Sequence, residues 1–177
     1  MEFLKCGRDV TIWPQAKIVQ PEKISLGNHV IIDDFVFIVG GQGIEIGDYV
    51  HIASFASITG GGKLIMGDFS GLSSGVRICT GHEDYKGNYL TNPTVPPPYR
   101  HPERSFVRIG EHVVIGANAV VLSGITIGAG VAIGACSLIL KDCEPWGIYA
   151  GVPAKRIGER PENRILELEI RLRAQCK

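Results

Sequence analysis

The segment Ile109–Leu140 reads IGEHVV-IGANAV-VLSGIT-IGAGVA-IGACSL-IL, with an aliphatic residue at every sixth position. Four of these six aliphatic residues are followed directly by glycine, and the residue four places on is small or branched. Neither an α-helix nor an alternating β-strand has a six-residue period. A short fixed period of this kind predicts a β-helix of hexapeptide repeats, in which the chain winds as a triangular prism of short parallel strands.

A membrane span is the alternative interpretation of this segment. Val113 to Leu140 covers 28 residues without a charge, which is long enough to cross a bilayer. Five glycines, Asn118 and the regular placement of the aliphatic residues instead predict a turn in every repeat. Lipid would leave the backbone groups of such turns unpaired. We therefore predict no membrane span.

The same spacing extends back to the start of the chain. Within each group of three positions the step is six residues, and between groups it is eight. This pattern predicts coils of three strands with a two-residue insertion at one corner. Inward side chains of successive coils would stack about 4.8 Å apart, and each buried Ile or Leu would contribute roughly 1.5–3 kcal/mol. The predicted inward positions are Cys6, Ile12, Ile18, Leu26, Ile32, Ile38, Ile46, Ile52, Ile58, Met66, Leu72, Ile78, Ile109, Ile115, Val121, Ile127, Ile133 and Ile139.

The spacing is interrupted once, between Ile78 and Ile109, where the chain is about 25 residues longer than one repeat needs. Residues 79–108 are therefore predicted to leave the prism as a loop. The run Val95–Pro98 would form a stiff, polyproline-like part of it. An irregular loop of this length is usually functional, which favours a role in binding or catalysis over a tolerated surface insertion.

The C-terminal part of the chain follows a different pattern. After Ile139 an irregular segment leads to a helical pattern that Pro161 opens. We predict a β-helix over residues 1–157 and a helix over residues 158–177. The helix would cap the open end of the prism, whose last strands would otherwise present unpaired edges.

Charge and cysteine content restrict the class of function. Eighteen basic and eighteen acidic residues cancel, so no nucleic-acid partner is predicted. The five cysteines show no C-x-x-C pair and no metal-ligand spacing, so no metal site is predicted either. Cys6 and Cys136 fall on repeat positions and are predicted to pack in the core. The opening MEFLKCGR lacks an apolar signal segment, which predicts a cytoplasmic location.

Among the five histidines, His82 is the candidate catalytic group. It lies four residues after Ile78, where the repeat would place a small side chain, and the sequence Glu-Asp-Tyr follows it. An imidazole near carboxylates can act as a general base close to neutral pH. Either a carboxylate or a backbone carbonyl could orient the ring. Three other histidines fall on the repeat and are predicted to be solvated or packed turn residues: His29, His51 and His112.

Four motifs carry a family resemblance. They are ICTGH at 78–82, the hexads from Ile109, ILKDCEP at 139–145 and YAGVPAKRI at 149–157. Together they resemble the hexapeptide-repeat acyltransferases over nearly the whole chain. The branch that they resemble most contains the galactoside and maltose O-acetyltransferases and the bacterial surface-polysaccharide acetyltransferases.

The resemblance implies a left-handed parallel β-helix that assembles as a homotrimer with active sites between subunits. It implies transfer of acetyl from acetyl-CoA to a hydroxyl or amino group of a sugar, in bacterial surface-polysaccharide biosynthesis. The histidine of the T-G-H motif would be the general base, which is His82 here. The implied coenzyme A contacts are Ala117 and Ala135 for the pantetheine arm, and Lys141, Lys155 and Arg156 for the phosphates.

The acceptor site departs from the family pattern. The N-terminal helical segment of the maltose and galactoside enzymes is missing, because the repeat already begins at Cys6. Where those enzymes carry an acceptor-binding Asn, this chain has Ala-Ser-Phe-Ala-Ser, which includes Ser54. We predict that Ser54, Asp84 and Tyr85 contact the acceptor. The acceptor would be a sugar, a nucleotide sugar or a glycolipid.

Two other functions on the same fold remain open at this point. A γ-class carbonic anhydrase needs three histidines on one metal across a subunit interface. Five residues after His112 the chain has Ala117, and no other histidine follows, which argues against that site. A non-catalytic scaffold would keep its ligand binding after replacement of His82, because it has no chemistry to lose.

Overall fold

A computed structural model describes residues 2–175 and consists of a parallel β-helix followed by one helix. Three sheets, A, B and C, form the sides of a prism, and each strand pairs in parallel with the equivalent strand of the next coil. The chain passes from A to B, from B to C and from C back to A. We call these turns corner AB, corner BC and corner CA. This architecture confirms the predicted fold class.

The strands are short, and their bounds follow the repeat. Sheet A contains β1 (Lys5–Cys6), β4 (Ile24–Leu26), β7 (Ile44–Ile46), β10 (Lys63–Met66), β15 (Phe106–Ile109) and β18 (Ile125–Ile127). Sheet B contains β2 (Thr11–Ile12), β5 (Ile31–Ile32), β8 (His51–Ile52), β11 (Gly71–Leu72), β16 (Val114–Ile115), β19 (Ala132–Ile133), β21 (Gly147–Gly151) and β22 (Ala154–Glu159). Sheet C contains β3 (Lys17–Val19), β6 (Phe37–Val39), β9 (Ser57–Thr59), β12 (Arg77–Cys79), β17 (Val120–Val121) and β20 (Leu138–Ile139).

The predicted inward positions form the core of the prism from Ile18 onwards, where every one of them is buried. The small corner residues that follow four places later, such as Val113 and Ala119, are buried as well. The six-residue period therefore reports the stacking of side chains between coils.

The core prediction is wrong for two cysteines. Cys6 is exposed and Ile12 is only half-buried, because both belong to the first coil, which has a neighbour on one side only. Cys136 is exposed in a turn at corner BC, where its backbone has a left-handed φ of 57°.

The loop is shorter than the predicted span 79–108. Cys79 ends β12, and Phe106–Ile109 is a full strand because its backbone pairs with β10. Inside these limits, β13 (Gly81–His82) and β14 (Glu103–Arg104) form an antiparallel pair. The remaining loop, residues 83–102, contains one 3-10 turn at Pro97–Tyr99. Because β10 pairs directly with β15, the prism continues beneath the loop without a gap.

The predicted C-terminal boundary also changes. Residues 154–159 form β22, which pairs antiparallel with β21, so the sheet runs past residue 157. The helix, α1, begins at Asn163 and is described to Gln175, while residues 176 and 177 lie outside the described part. Between residues 2 and 175, no helix combines the length and the apolar character that a bilayer crossing requires.

The helix packs along corner AB and does not cap the end of the prism as predicted. Glu169 Oε2 lies 2.7 Å from His112 Nε2, and Arg173 donates to Asp68 Oδ2 at 2.9 Å. The Arg173 guanidinium also lies 5.1 Å from the centre of the Phe69 ring. Burial raises the pKa of Glu169, but hydrogen bonds from Arg173 and His112 outweigh it and hold that pKa below its ordinary value. The helix is therefore held by polar contacts to earlier coils.

Corner AB carries a column of stacked rings in left-handed turns. Successive ring centres are 4.6, 4.9 and 5.2 Å apart, which matches the spacing of the strands beneath them. Two of the three lattice histidines are thus packed turn residues, as predicted, whereas His51 is an exposed residue of β8 whose Nε2 lies 3.0 Å from Asp33 Oδ2. The stacked residues are His29, Tyr49, Phe69 and His112.

Candidate active site

His82 lies at corner CA, where the loop leaves the prism. Gly81 before it is packed so tightly that a Cβ there would lie 2.4 Å from the Glu103 carbonyl oxygen and 2.6 Å from that of Gly60. The antiparallel pairing of β13 with β14 then places His82 opposite Glu103 and outside the core. The His82 side chain is 37% exposed, so its ring is accessible to a ligand.

A hydrogen bond to the backbone fixes the tautomer of the neutral His82 ring. Nδ1 lies 2.8 Å from the backbone carbonyl oxygen of Glu83. Because a carbonyl only accepts, Nδ1 must carry the hydrogen, and the neutral ring then keeps its lone pair on Nε2. Nε2 faces outward and lies 3.4 Å from Glu103 Oε2. This is the arrangement that a general base requires, with a backbone carbonyl as the orienting group.

Two acidic side chains beside His82 are already engaged within the loop. Glu83 forms an ion pair with Arg100, with 2.5 Å between Oε1 and Nη2, and this pair is largely buried. Asp84 accepts the backbone N–H groups of residues 86, 88 and 89. These hydrogen bonds, the one from Lys86 first, hold the pKa of Asp84 below its ordinary value. Both acids therefore fix the loop around the histidine.

The predicted acceptor residues are divided between two places. Asp84 lies in the loop beside His82, and the ring of Tyr85 is 5.6 Å from the imidazole and 87% exposed. Ser54 lies in the turn between β8 and β9 at corner BC. One chain thus brings Asp84 and Tyr85 to His82 but leaves Ser54 on another edge of the prism.

The predicted phosphate-binding residues meet in one cavity. Lys141 follows β20, while Lys155 and Arg156 lie on β22, and all three line a cavity of about 330 Å³ between these elements. Tyr149 and Cys143 form part of its wall. Three cations around one cavity can hold phosphate oxygens as point charges and, in the case of Arg156, as a two-pronged donor.

Cys143 is a structural residue of this cavity. Burial, with the nearby Asp142 carboxylate, raises the pKa of the Cys143 thiol to about 11. The thiol stays protonated near neutral pH and is therefore a poor nucleophile.

The predicted pantetheine contacts lie on corner BC. Ala117 follows β16 and Ala135 follows β19, and the Cys136 N–H donates to the Ala117 carbonyl at 2.8 Å, which fixes the two turns on neighbouring coils. His82 and Lys141 both lie on corner CA. Sheet C separates the two corners within one chain.

Two residues of the site escaped the sequence analysis. Arg100 and Glu103 lie at the far end of the loop, and nothing in the repeat marks them. Their position follows from the closure of the loop. The loop leaves the prism and rejoins it at corner CA, so its last residues lie beside its first ones. Within residues 2–175 no cluster of three or more histidine, cysteine, aspartate or glutamate side chains has the geometry to hold a metal ion.

Comparisons with known proteins agree with this architecture. Residues 106–141 match the family model described as bacterial transferase hexapeptide (six repeats). The chain is 44% identical over 170 residues to dTDP-4-amino-4,6-dideoxy-D-glucose acyltransferase of Escherichia coli, which spans 96% of this chain and 88% of the relative.

Solved structures extend the likeness to three dimensions. AntD, an N-acyltransferase from Bacillus cereus in complex with dTDP and 3-hydroxybutyryl-CoA, superposes with a TM-score of 0.92 at 37% identity, covering 99% of this chain and 93% of AntD. A maltose O-acetyltransferase from Clostridium difficile 630 has a TM-score of 0.60 at 22% identity, covering 90% and 71% of the two chains, and shares the fold.

The family resemblance is thereby confirmed by sequence and by structure, and neither a carbonic anhydrase nor a non-catalytic scaffold is supported. This chain belongs to the bacterial hexapeptide-repeat transferases and is an acyltransferase.

Proposed function

We propose that this enzyme transfers an acyl group from acyl-CoA, acetyl-CoA in the first instance, to the amino group of a nucleotide-linked aminosugar, with His82 as the general base. The observation that carries the proposal is the His82 ring, whose Nδ1 is fixed on the Glu83 carbonyl while Nε2 faces outward. The E. coli relative is named for a dTDP-aminosugar, and a form of AntD holds dTDP-4-amino-4,6-dideoxyglucose and coenzyme A, which supports this acceptor class and donor.

The chemistry follows from the geometry of the ring. The acceptor nitrogen attacks the thioester carbonyl, Nε2 of His82 removes the proton that the nitrogen releases, and the thiolate of coenzyme A leaves and is protonated. A positioned base of this kind contributes about 10²–10⁴-fold. Release of free thiol from acetyl-CoA with dTDP-4-amino-4,6-dideoxyglucose, compared with free sugars, tests the proposal. Turnover of free maltose or galactoside alone would refute the nucleotide-linked acceptor.

The donor would lie with its phosphates in the cavity at the C-terminal end of the prism. Replacement of both Lys155 and Arg156 by alanine removes two charge-assisted contacts, each of which contributes about 1.5–3 kcal/mol. We expect the KM for acetyl-CoA to rise by about a hundredfold or more, with the KM for the acceptor unchanged. Steady-state kinetics with each substrate varied in turn measures both values.

Lys17→Ala is the matched control, because Lys17 is an exposed lysine of β3 at the other end of the prism. Its KM values should equal those of the wild type. An unchanged KM for acetyl-CoA in the double variant would remove Lys155 and Arg156 from the donor site.

We further propose that the enzyme is a homotrimer with active sites between subunits. Its predicted pantetheine contacts and its base lie on different corners of one chain, which supports contributions from two chains. Solved AntD variants carry substitutions at a serine and at an aspartate ten residues further on. In this sequence Ser74 and Asp84 form the one pair of a serine and an aspartate ten residues apart. Like the pantetheine contacts and the base, they lie on corner BC and corner CA.

Mixed trimers test this arrangement. Co-expression of Ser74→Ala chains with His82→Ala chains would regenerate an intact site wherever Ser74 of one chain meets His82 of its neighbour, in about a quarter of the interfaces. We expect activity above that of either variant alone. Two inactive variants that remain inactive when mixed would place both residues in one subunit, and a fully active Ser74→Ala enzyme would remove Ser74 from the site.

The surface-polysaccharide pathway and the cytoplasmic location stay predictions.

A further inference from the structure

Glu103 holds a carboxylate directly in front of the outward nitrogen of His82. The two residues are paired across β13 and β14, and 3.4 Å separates Glu103 Oε2 from His82 Nε2. The Glu103 side chain is 65% exposed, and within residues 2–175 no lysine or arginine forms an ion pair with it. Arg104, the next residue, points away and donates to the Gly60 carbonyl.

The other acids near the ring have different partners. Glu83 is bound to Arg100, and Asp84 accepts three backbone N–H groups of the loop. Glu103 is therefore the carboxylate at this corner that faces both His82 Nε2 and solvent, where an incoming acceptor would arrive.

Two hydrogen-bond acceptors thus face each other. In the neutral ring Nδ1 donates to Glu83, so Nε2 offers a lone pair, and the ionised carboxylate offers only acceptor oxygens. A group that lies beside the two atoms and hydrogen-bonds to both must donate to both. An amine has two N–H groups and its ammonium form has three, whereas a hydroxyl has one O–H and leaves one of the two acceptors unpaired.

We propose that Glu103, together with His82, binds the reacting amino group of the acceptor and makes the enzyme select an amine over a hydroxyl. This role rests on the proposed function and adds to it the residue that recognises the nucleophile. A hydrogen bond from the amine to the charged Glu103 carboxylate is among the stronger ones. A hydroxyl would leave one acceptor unpaired, which is costly, so both effects favour the amine.

The proton balance of the reaction is consistent with this role. The acceptor arrives as an ammonium ion and loses one proton to solvent beside Glu103. Its nitrogen then forms the C–N bond, loses a second proton to His82 Nε2, and the C–S bond breaks as the thiolate leaves. The imidazolium, stabilised by the Glu103 carboxylate, returns its proton to the thiolate. The products are the amide, free coenzyme A and one proton.

The test compares dTDP-4-amino-4,6-dideoxyglucose with the same nucleotide sugar that carries a 4-hydroxyl group. Binding is measured by calorimetry without acyl donor, so that the result does not depend on turnover. We expect the wild type to bind the amine more tightly. Glu103→Gln, which keeps the shape but donates from its amide, should weaken binding of the amine by about tenfold or more and leave binding of the hydroxyl compound nearly unchanged.

Kinetics give a second readout. In Glu103→Gln and Glu103→Ala the KM for the amine should rise by about tenfold, while the KM for acetyl-CoA stays the same. Glu111→Gln, an exposed glutamate of corner AB, should match the wild type in both assays.

Three results would overturn the role of Glu103. They are an unchanged preference for the amine in both variants, an equal rise in the KM of both substrates, and equal binding of the two nucleotides by the wild type. If the wild type bound neither nucleotide, the proposed acceptor would fail and this role with it. A His82→Ala enzyme that retains turnover would reject the proposed base alone, because the binding ratio is measured without acyl donor and does not depend on turnover.

Discussion

Replacing His82 with alanine will lower the turnover number of acyl transfer by about 10²–10⁴-fold. The ring would no longer remove the proton from the acceptor nitrogen, and no other described side chain has an outward nitrogen in its place. The free energy of unfolding should change by less than about 1 kcal/mol, because the ring is partly exposed and its one hydrogen bond among the described residues is to the Glu83 carbonyl. Thiol release under saturating substrates and thermal unfolding at one protein concentration measure the two quantities.

His101→Ala is the matched control for this variant. His101 is an exposed histidine of the same loop that contacts the ring of Tyr89 and has no contact with His82 among the described residues. Its turnover should stay near that of the wild type. A His82→Ala enzyme with most of its turnover, or one that no longer assembles, would reject the assignment of the base.

A single methyl group at Gly62 will destabilise the protein by about 3 kcal/mol. A Cβ there would lie 2.0 Å from the Ser105 carbonyl oxygen and 2.2 Å from that of Thr80, while the Gly62 N–H donates to Thr80 Oγ1 at 2.9 Å. Backbone cannot move aside cheaply at this point, because both neighbours are held by adjacent strands. The melting temperature of Gly62→Ala should fall by roughly 6–12 °C, and activity should fall with it because the root of the loop opens.

Gly71→Ala is the control, since the nearest atom to its Cβ would be the His51 carbonyl oxygen at 3.7 Å. This variant should melt within about 2 °C of the wild type. Equal melting temperatures for the two alanine variants would show that corner CA is not the rigid anchor that the contacts imply.

The interior of the prism could be predicted from the sequence because every inward position follows the same six-residue spacing of aliphatic residues. One aliphatic residue every six positions, in a chain so rich in glycine, favours a β-helix over the membrane span that the uncharged segment would otherwise allow. The rule fails at the ends of the stack. Cys6 obeys the spacing but is exposed, because burial depends on a neighbouring coil that the first coil has on one side only.

The loop and the helix could be predicted only in outline. Glu103 meets His82 through a strand pair that closes 20 residues of loop, and no periodicity reports such a contact. The helix was expected at the end of the prism, but its position is decided by pairs such as Glu169 with His112, which are 57 residues apart in sequence. Contacts of this kind depend on the finished fold.

His82 was predictable for a different reason. A large polar side chain stands where the repeat places small ones, and the structure resolves this conflict by turning the chain outward at Gly81. A residue that breaks a repeat is therefore a sign of function. Its contacts, such as the one with the Glu83 carbonyl that orients the ring, are seen only in the structure.

The direct pairing of β10 with β15 makes the register of the prism independent of the loop between them. Residues 83–102 form a loop whose two ends lie together at corner CA, so its length and composition can change in evolution without shifting the register of any coil. Exchanging this segment between relatives should leave the coils in register, so a change of acceptor in the exchanged enzyme would assign part of the acceptor choice to the loop.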